Sequence, residues 1–237
     1  MLRRCCCAIA VPAPPEGVSF RRTYVSGGIG GIMAFAFWLL QPFIVSVMAA
    51  GGDDLYGTHE YVLTYQWNGL YEAVAFSGVG VGVLAAVLAT TQLVAARAPQ
   101  VSTWLRVGQV LGILGGAAWI VAAGLSLAPF TSVGFFLNEL VPNAPEQAAV
   151  YEVMGLVITA MVMTFALSMV GWLLSFAFGA RSRGIIGWPL AVLAIVCAAV
   201  SASPLFLPFS PPAGAIGPLL YLLVLGVALL IKGRKAA

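Results

Sequence analysis

The sequence of residues 184–231 is GIIGWPLAVLAIVCAAVSASPLFLPFSPPAGAIGPLLYLLVLGVALLI. This stretch of 48 residues contains no Asp, Glu, Lys or Arg. A helix needs about 20 apolar residues to cross the hydrocarbon core of a bilayer, so the stretch is long enough to cross it twice. Four prolines lie near its middle: Pro204, Pro208, Pro211 and Pro212. Because proline lacks a backbone N–H and clashes with the preceding turn, the stretch predicts two spans, at about 185–203 and 213–231.

Four other stretches without charged residues are each long enough for one span: 23–52, 73–96, 107–138 and 153–180. They predict helices at about 25–50, 70–96, 105–129 and 150–178. The predicted fold is therefore all-α, a polytopic membrane protein with six transmembrane helices in one bundle over residues 23–231. We expect a disordered N-terminal tail at 1–22 and a basic C-terminal tail at 232–237.

The composition is that of an integral membrane protein. Of 237 residues, 61% are hydrophobic and 8% are charged, and the mean hydropathy is +1.01. A soluble domain has about 25% charged residues, so this chain lacks the polar side chains to cover its surface in water. Eleven Lys and Arg against eight Asp and Glu give a net charge of +3. These values exclude a soluble enzyme, a disordered protein and a nucleic-acid-binding protein.

All the basic residues fall on one side of the six-span arrangement. They are Arg3, Arg4, Arg21, Arg22, Arg97, Arg106, Arg181, Arg183, Lys232, Arg234 and Lys235. Lys and Arg concentrate in cytoplasmic loops. We therefore expect a multi-pass protein of the plasma membrane with both termini in the cytoplasm. Five or seven spans would scatter the same residues over both sides.

The opposite, outer side is acidic. It holds the single histidine and seven carboxylates: His59, Asp53, Asp54, Glu60, Glu72, Glu139, Glu146 and Glu152. A face of this charge attracts cations. Alternatively, carboxylates are simply the solubilising charges that remain where Lys and Arg are excluded, so the acidity alone does not establish a cation site.

Three adjacent cysteines, Cys5, Cys6 and Cys7, lie in the N-terminal tail. On the cytoplasmic side thiols stay reduced, and three neighbouring residues alone do not make a tetrahedral zinc site. The fourth cysteine, Cys197, lies inside predicted helix 5, where it is interpreted as a small apolar residue. We expect no disulfide, metal site or cofactor.

Glycines recur at helical spacing in the predicted spans. They are Gly27 and Gly31 in helix 1, Gly78, Gly80 and Gly82 in helix 2, and Gly108, Gly112 and Gly116 in helix 3. Helix association in lipid depends on close backbone approach, which small residues permit. We therefore expect helix 3 to be central, with its glycine face against helix 1 or helix 2. A sliding or dimerisation surface is the alternative interpretation.

Two similar segments provide the candidate ligand or cation site. Helix 2 begins with Tyr71-Glu72 and helix 4 begins with Tyr151-Glu152. Both helices run from outside to inside, so the two pairs are expected at the same depth, below the polar and aromatic loop that holds His59 and Glu60. Carboxylates that face a bundle interior are usually functional. A carboxylate in the first helical turn is also stabilised by the helix dipole, which offers a purely structural interpretation.

Catalytic motifs are weak, and no catalytic residue is predicted. His59-Glu60 lacks a second histidine four residues later, which a zinc-protease helix requires. There is no Gly-x-Ser-x-Gly nucleophile elbow. Two function classes remain: a non-catalytic accessory or scaffold subunit that docks on other membrane subunits or on its own copies, and a small transporter or ligand-binding protein with an outward-facing pocket near Glu72 and Glu152.

The layout resembles bacterial six-helix integral membrane proteins of the kind grouped as domains of unknown function. The shared features are helices rich in Ala, Gly, Val and Leu, an acidic and aromatic first outer loop, the proline-rich break at 204–212 and the closing Lys232-Gly233-Arg234-Lys235. The resemblance covers about residues 20–237. It implies a bacterial plasma membrane location and assigns no functional residue.

Overall fold

The computed structural model describes residues 20–40, 59–97, 102–128, 131, 144–206 and 211–235. These ranges are all-helical and contain no strand. The six long helices are α1 (Phe20–Trp38), α2 (His59–Ala95), α3 (Thr103–Leu127), α4 (Ala144–Ser182), α5 (Trp188–Ser201) and α6 (Pro211–Lys235). A short 3₁₀ helix, Ser203–Leu205, follows α5.

Five helical segments in the described ranges are long and apolar enough to cross a membrane. They are Asn68–Ala95, Thr103–Leu127, Pro145–Ser182, Trp188–Leu205 and Gly214–Lys235. The chain therefore has the helices of a multi-pass membrane protein in contact with lipid. α1 is not among the five: Arg21 and Arg22 lie in its first turn, and residues 41–50 of its predicted span are outside the described part of the chain.

Two helices begin well before the predicted spans. α2 begins at His59 instead of residue 70, and α4 begins at Ala144 instead of residue 150. No proline or glycine interrupts the sequence between His59 and Asn68, so the helix continues into the polar segment interpreted as a loop. Hydropathy shows where a stretch suited to the hydrocarbon core of a bilayer ends. The helix itself can continue until a residue such as proline or glycine ends it.

The helices pack in a closed ring. α1 packs against α2 and α6, α2 against α3, and α3 against α4, while α4, α5 and α6 contact one another. Contacts between α2 and α3 run in opposite order along the two helices: Gly80 lies against Ile120, and Val87 lies against Gly112. This order makes the two helices antiparallel, as consecutive spans must be.

The backbones of α1 and α2 lie close together at a pair of glycines. A methyl group on Gly30 would lie 2.8 Å from the carbonyl oxygen of Gly82, and a methyl group on Gly82 would lie 2.6 Å from that of Gly30. Gly78, one turn earlier in α2, lies against the ring of Phe37 in α1. Only glycine fits between these backbones, so α1 is seated on α2 through the small-residue packing typical of membrane helices.

The glycines of α3 face two neighbours. Gly116 lies against Leu84 in α2, Gly108 lies against Ser175 in α4, and Gly112 lies between Val87 in α2 and Trp172 in α4. The expected contact with helix 1 or helix 2 therefore describes only part of this face, because α4 covers Gly108 and shares Gly112 with α2. Helical spacing identifies residues that share a face, but it does not identify the helix that covers them.

Aromatic side chains fill the middle of the bundle. Trp119 packs against Phe76 and Phe165, with ring centroids 5.1 and 5.5 Å apart. Nearer the basic end, Trp172 lies 6.2 Å from Tyr221 between ring centroids. These rings from α2, α3, α4 and α6 form one continuous core.

The turn between α4 and α5 depends on Gly184, whose φ is +65°. The N–H of Ile185 donates to the carbonyl of Ala180 at 2.9 Å, and the N–H of Gly184 donates to the carbonyl of Arg181 at 3.1 Å. This pattern is a Schellman motif, which needs a left-handed residue where glycine sits. Ile185 is buried beyond the turn, which anchors the entry to α5.

Candidate functional site

The carboxylate of Glu72 links α2 to α3. Its Oε1 accepts a hydrogen bond from Nδ2 of Asn68 at 3.2 Å, and its Oε2 accepts one from Oγ of Ser126 at 3.1 Å. Asn68 precedes Glu72 by one helical turn, so both side chains lie on the same face of α2. We call Asn68, Glu72 and Ser126 the polar clamp.

Gly69 allows the clamp to close. A methyl group on Gly69 would collide with the carbonyl oxygen of Ser126, so the two backbones touch at this point. Ser126 is buried, at 3% exposure, in the last turn of α3. Because a carboxylate within an apolar bundle needs hydrogen-bond donors, the close approach of the two helices supplies one donor directly to Glu72.

Glu152 lies in a different environment. Its side chain is exposed on α4, whereas that of Glu72 is half-buried and bonded to Asn68 and Ser126. Tyr71 is also exposed, at 60%. The two Tyr-Glu segments match in sequence, but their carboxylates have different surroundings in the fold.

The other predicted site residues lie apart from Glu72 or outside the described side chains. His59 and Glu60 are the first two residues of α2, about 18 Å before Glu72 along the helix axis at 1.5 Å per residue. Tyr151 lies within α4. The side chains of these three residues are outside the described part of the structure, as are the whole of Asp53, Asp54 and Glu139 and the cysteines Cys5, Cys6 and Cys7.

Within the described ranges, no group of three His, Cys, Asp or Glu side chains could hold a metal ion. The carboxylates that the structure describes are those of Glu72, Glu146 and Glu152, all in the first half of α2 or α4. The clamp itself contributes a single carboxylate. Its chemistry is that of a charge-assisted hydrogen-bond network rather than of a multidentate site.

Sequence reasoning identified Glu72 but missed its partners. The spacing of Asn68 and Glu72, four residues apart, was a readable signal for a side-chain pair within one helix. Ser126 carried no such signal, because its contact with Glu72 depends on how α3 is aligned with α2. Gly69 was likewise absent from the expected packing glycines.

Comparisons of the chain with protein-family models, with curated proteins and with solved structures gave no match.

Proposed function

We propose that the protein is a non-catalytic accessory or scaffold subunit of a membrane complex. The close packing of aromatic side chains in the described core of the bundle is the observation that carries this proposal. Trp119, Phe165 and Trp172 are at most 2% exposed between the helices. A cavity of about 20 Å³ beside Trp172 has room for about one water molecule, and a groove of about 470 Å³ beside Gly78 is lined almost entirely by apolar side chains. A transport path for a polar solute requires a wider and wetter passage.

The polar groups of the spans support the same proposal. The hydroxyls of Thr90, Ser175 and Ser201 donate to carbonyl oxygens of their own helices, at 2.7, 3.0 and 2.7 Å. Thr159 and Thr164 do the same, each at 2.9 Å. Serine and threonine bonded in this way satisfy themselves within a helix, so they leave few donors for a solute to use.

Large apolar side chains are exposed around the bundle. Val110 in α3 is 63% exposed, Leu156 in α4 is 71% exposed and Val196 in α5 is 52% exposed. In a membrane these side chains contact either lipid or a neighbouring subunit. A scaffold subunit would use one such face for its partner and leave the others to lipid.

The proposed arrangement has six spans, including α1, with both termini in the cytoplasm of a bacterial plasma membrane. α1 lies between α2 and α6: Gly30 approaches α2, and Gly28 approaches Gly226 of α6. A helix held along both neighbours is expected to cross the membrane with them. The gathering of Arg97, Arg181 and Lys232 at one end of the bundle supports the orientation through the positive-inside rule.

Native mass spectrometry of the protein, extracted from its own host in mild detergent, tests the proposed function. Other membrane chains at a fixed ratio are the expected result. A monomer that carries a bound small molecule or cation would contradict it. Photo-crosslinking residues at Val110, Leu156, Val196 and Ile29 then sample one exposed face each, and a partner should be captured from one face while the other three serve as matched controls.

A second candidate function is ligand or cation binding at the outer end of the bundle, with Glu72 as the charged group. The half-buried position of that carboxylate favours this candidate, because a charge in a membrane segment is costly unless it is used. Glu72→Gln keeps the size of the side chain but removes its charge and replaces one acceptor oxygen with an amide donor. If cations protect the wild-type protein against thermal unfolding and leave Glu72→Gln unaffected, the second candidate gains over the first. The exposed Glu152→Gln is the matched control.

A further inference from the structure

Two basic residues lie near the beginning of α1, at the end of the bundle opposite the polar clamp. Arg97, just after α2, donates from Nη2 to the hydroxyl oxygen of Tyr24 in α1 at 2.9 Å. Lys232, in the last turn of α6, donates from Nζ to the carbonyl oxygen of Ile185. Both cations are half-buried, and Tyr24 is 5% exposed. We call Tyr24, Arg97 and Lys232 the basic corner.

Glycine brings the members of the basic corner together. A methyl group on Gly233 would lie 3.0 Å from Cβ of Tyr24, so the end of α6 is in close contact with the beginning of α1. Lys232 is the residue before Gly233, and Arg97 reaches the same tyrosine from α2. The corner is therefore built by three helices rather than by one flexible tail.

The two cations have no carboxylate partner among the described residues. Arg97 lies close enough to Lys232 for their like charges to act on each other. The three glutamates whose side chains are described, Glu72, Glu146 and Glu152, lie in the first halves of α2 and α4, towards the opposite end of the bundle. Two half-buried like charges repel, and an anion placed between them would relieve that repulsion.

We propose that Arg97 and Lys232 bind a phosphate group, with Tyr24 as the residue that positions Arg97. Guanidinium and ammonium groups are the usual protein partners of phosphate. The corner lies at the end of the membrane span Gly214–Lys235, which is the depth of lipid headgroups. Basic pockets between membrane helices bind anionic headgroups in this way. The phosphate source is either an anionic phospholipid or free phosphate ion.

The test uses the full-length protein, stripped of lipid in neutral detergent, and two double variants that remove the same charge. Arg97→Gln with Lys232→Gln removes the corner. Arg234→Gln with Lys235→Gln removes two exposed basic residues from the same end of the bundle and is the matched control. Native mass spectrometry measures binding of phosphatidylglycerol, with zwitterionic phosphatidylcholine as the comparison lipid. A parallel thermal-unfolding series uses inorganic phosphate against chloride at equal ionic strength.

The corner variant is expected to bind phosphatidylglycerol about tenfold more weakly than the wild type, since two basic contacts are lost, while the control stays within about twofold. Protection by phosphatidylglycerol alone identifies lipid as the source, and equal protection by inorganic phosphate identifies the free ion. Equal weakening in both double variants would overturn the proposal, because general charge attraction would then explain the binding. So would unchanged binding in the corner variant.

Tyr24→Phe keeps the charges of Arg97 and Lys232. It therefore tests phosphate binding at the basic corner if the corner variant fails to fold. A positioning role predicts weaker phosphatidylglycerol binding in Tyr24→Phe, with a larger effect than in the Arg234→Gln, Lys235→Gln control. A purely structural role would lower the unfolding temperature equally with and without lipid. That second result would overturn the assignment of Tyr24, and undiminished affinity would do the same.

Discussion

The hydroxyl of Ser126 in α3 donates a hydrogen bond to the carboxylate of Glu72 in α2, with 3.1 Å between Oγ and Oε2. The two residues are 54 positions apart in the chain. Their contact coincides with the backbone approach at Gly69, so the hydrogen bond and the packing of the helix ends depend on one alignment of α2 with α3.

Ser126→Ala is expected to destabilise the bundle by about 1 kcal/mol, because it leaves a half-buried carboxylate with one donor fewer. Thr159→Ala is the control, since that hydroxyl is exposed and bonds only to the carbonyl of Gly155 in its own helix. Reversible unfolding in mixed micelles measures both. If Ser126→Ala lowers the free energy of unfolding no more than Thr159→Ala does, the clamp does not contribute to the stability of the bundle.

Gly30→Ala and Gly82→Ala are each expected to cost about 1–3 kcal/mol, because the added methyl group would overlap backbone atoms of the facing helix. Gly124→Ala is the control: a methyl group there would meet nothing within 4 Å. Alanine is the better helix former by up to about 1 kcal/mol, so the control should be neutral or stabilising. Thermal unfolding in detergent separates the two classes, and equal effects at all three positions would contradict the packing of α1 on α2.

Tyr221→Phe is expected to raise the free energy of unfolding by about 1 kcal/mol, because the Tyr221 hydroxyl is buried without a hydrogen-bond partner in the described structure. Tyr24→Phe is the matched comparison. The Tyr24 hydroxyl accepts from Arg97, so its loss should lower stability. If Tyr221→Phe lowers the free energy of unfolding more than Tyr24→Phe does, the Tyr221 hydroxyl has a hydrogen-bond partner in the membrane.

Gly184→Ala is expected to cost about 1–2 kcal/mol, because φ at this position is +65° and a side chain there is strained. Gly184→Asn should cost less, since asparagine tolerates this backbone region better than other side chains do. Unfolding temperatures of the two variants provide the measurement. Equal costs would argue against the Schellman geometry at the end of α4.

The membrane helices could be predicted because a bilayer of fixed thickness requires stretches of about 20 apolar residues, and charged residues mark where those stretches end. The long charge-free stretch at 184–231 divides at its prolines into α5 and α6, as expected. The start of α2 was misplaced because polar residues can extend a helix beyond the lipid. The partner of Glu72 was not predictable at all, since the alignment of two helices depends on the shapes of all the side chains between them.

The similarity of Tyr71-Glu72 to Tyr151-Glu152 shows that a short sequence match does not establish that two segments form a common binding site. Both pairs were expected in the first turn of a helix, but each lies at least seven residues after the helix begins, because α2 begins at His59 and α4 at Ala144. Which side chain faces a neighbour is decided by the rotation of each helix about its axis, and a match of two residues does not determine that rotation. Glu72 is turned towards α3, whereas Glu152 is turned outwards.

α2 and α4 contain 37 and 39 residues, so they are taller than the membrane they cross. At 1.5 Å per residue they measure about 55 and 58 Å, against about 40–45 Å for a bilayer with its headgroups. Their last turns lie close to Arg97 and Arg181 at the basic surface, so the excess height stands at the acidic end. Two neighbouring helices are therefore longer than a bilayer is thick, and their extra turns are available at the acidic end of the bundle as a protein surface beyond the lipid headgroups.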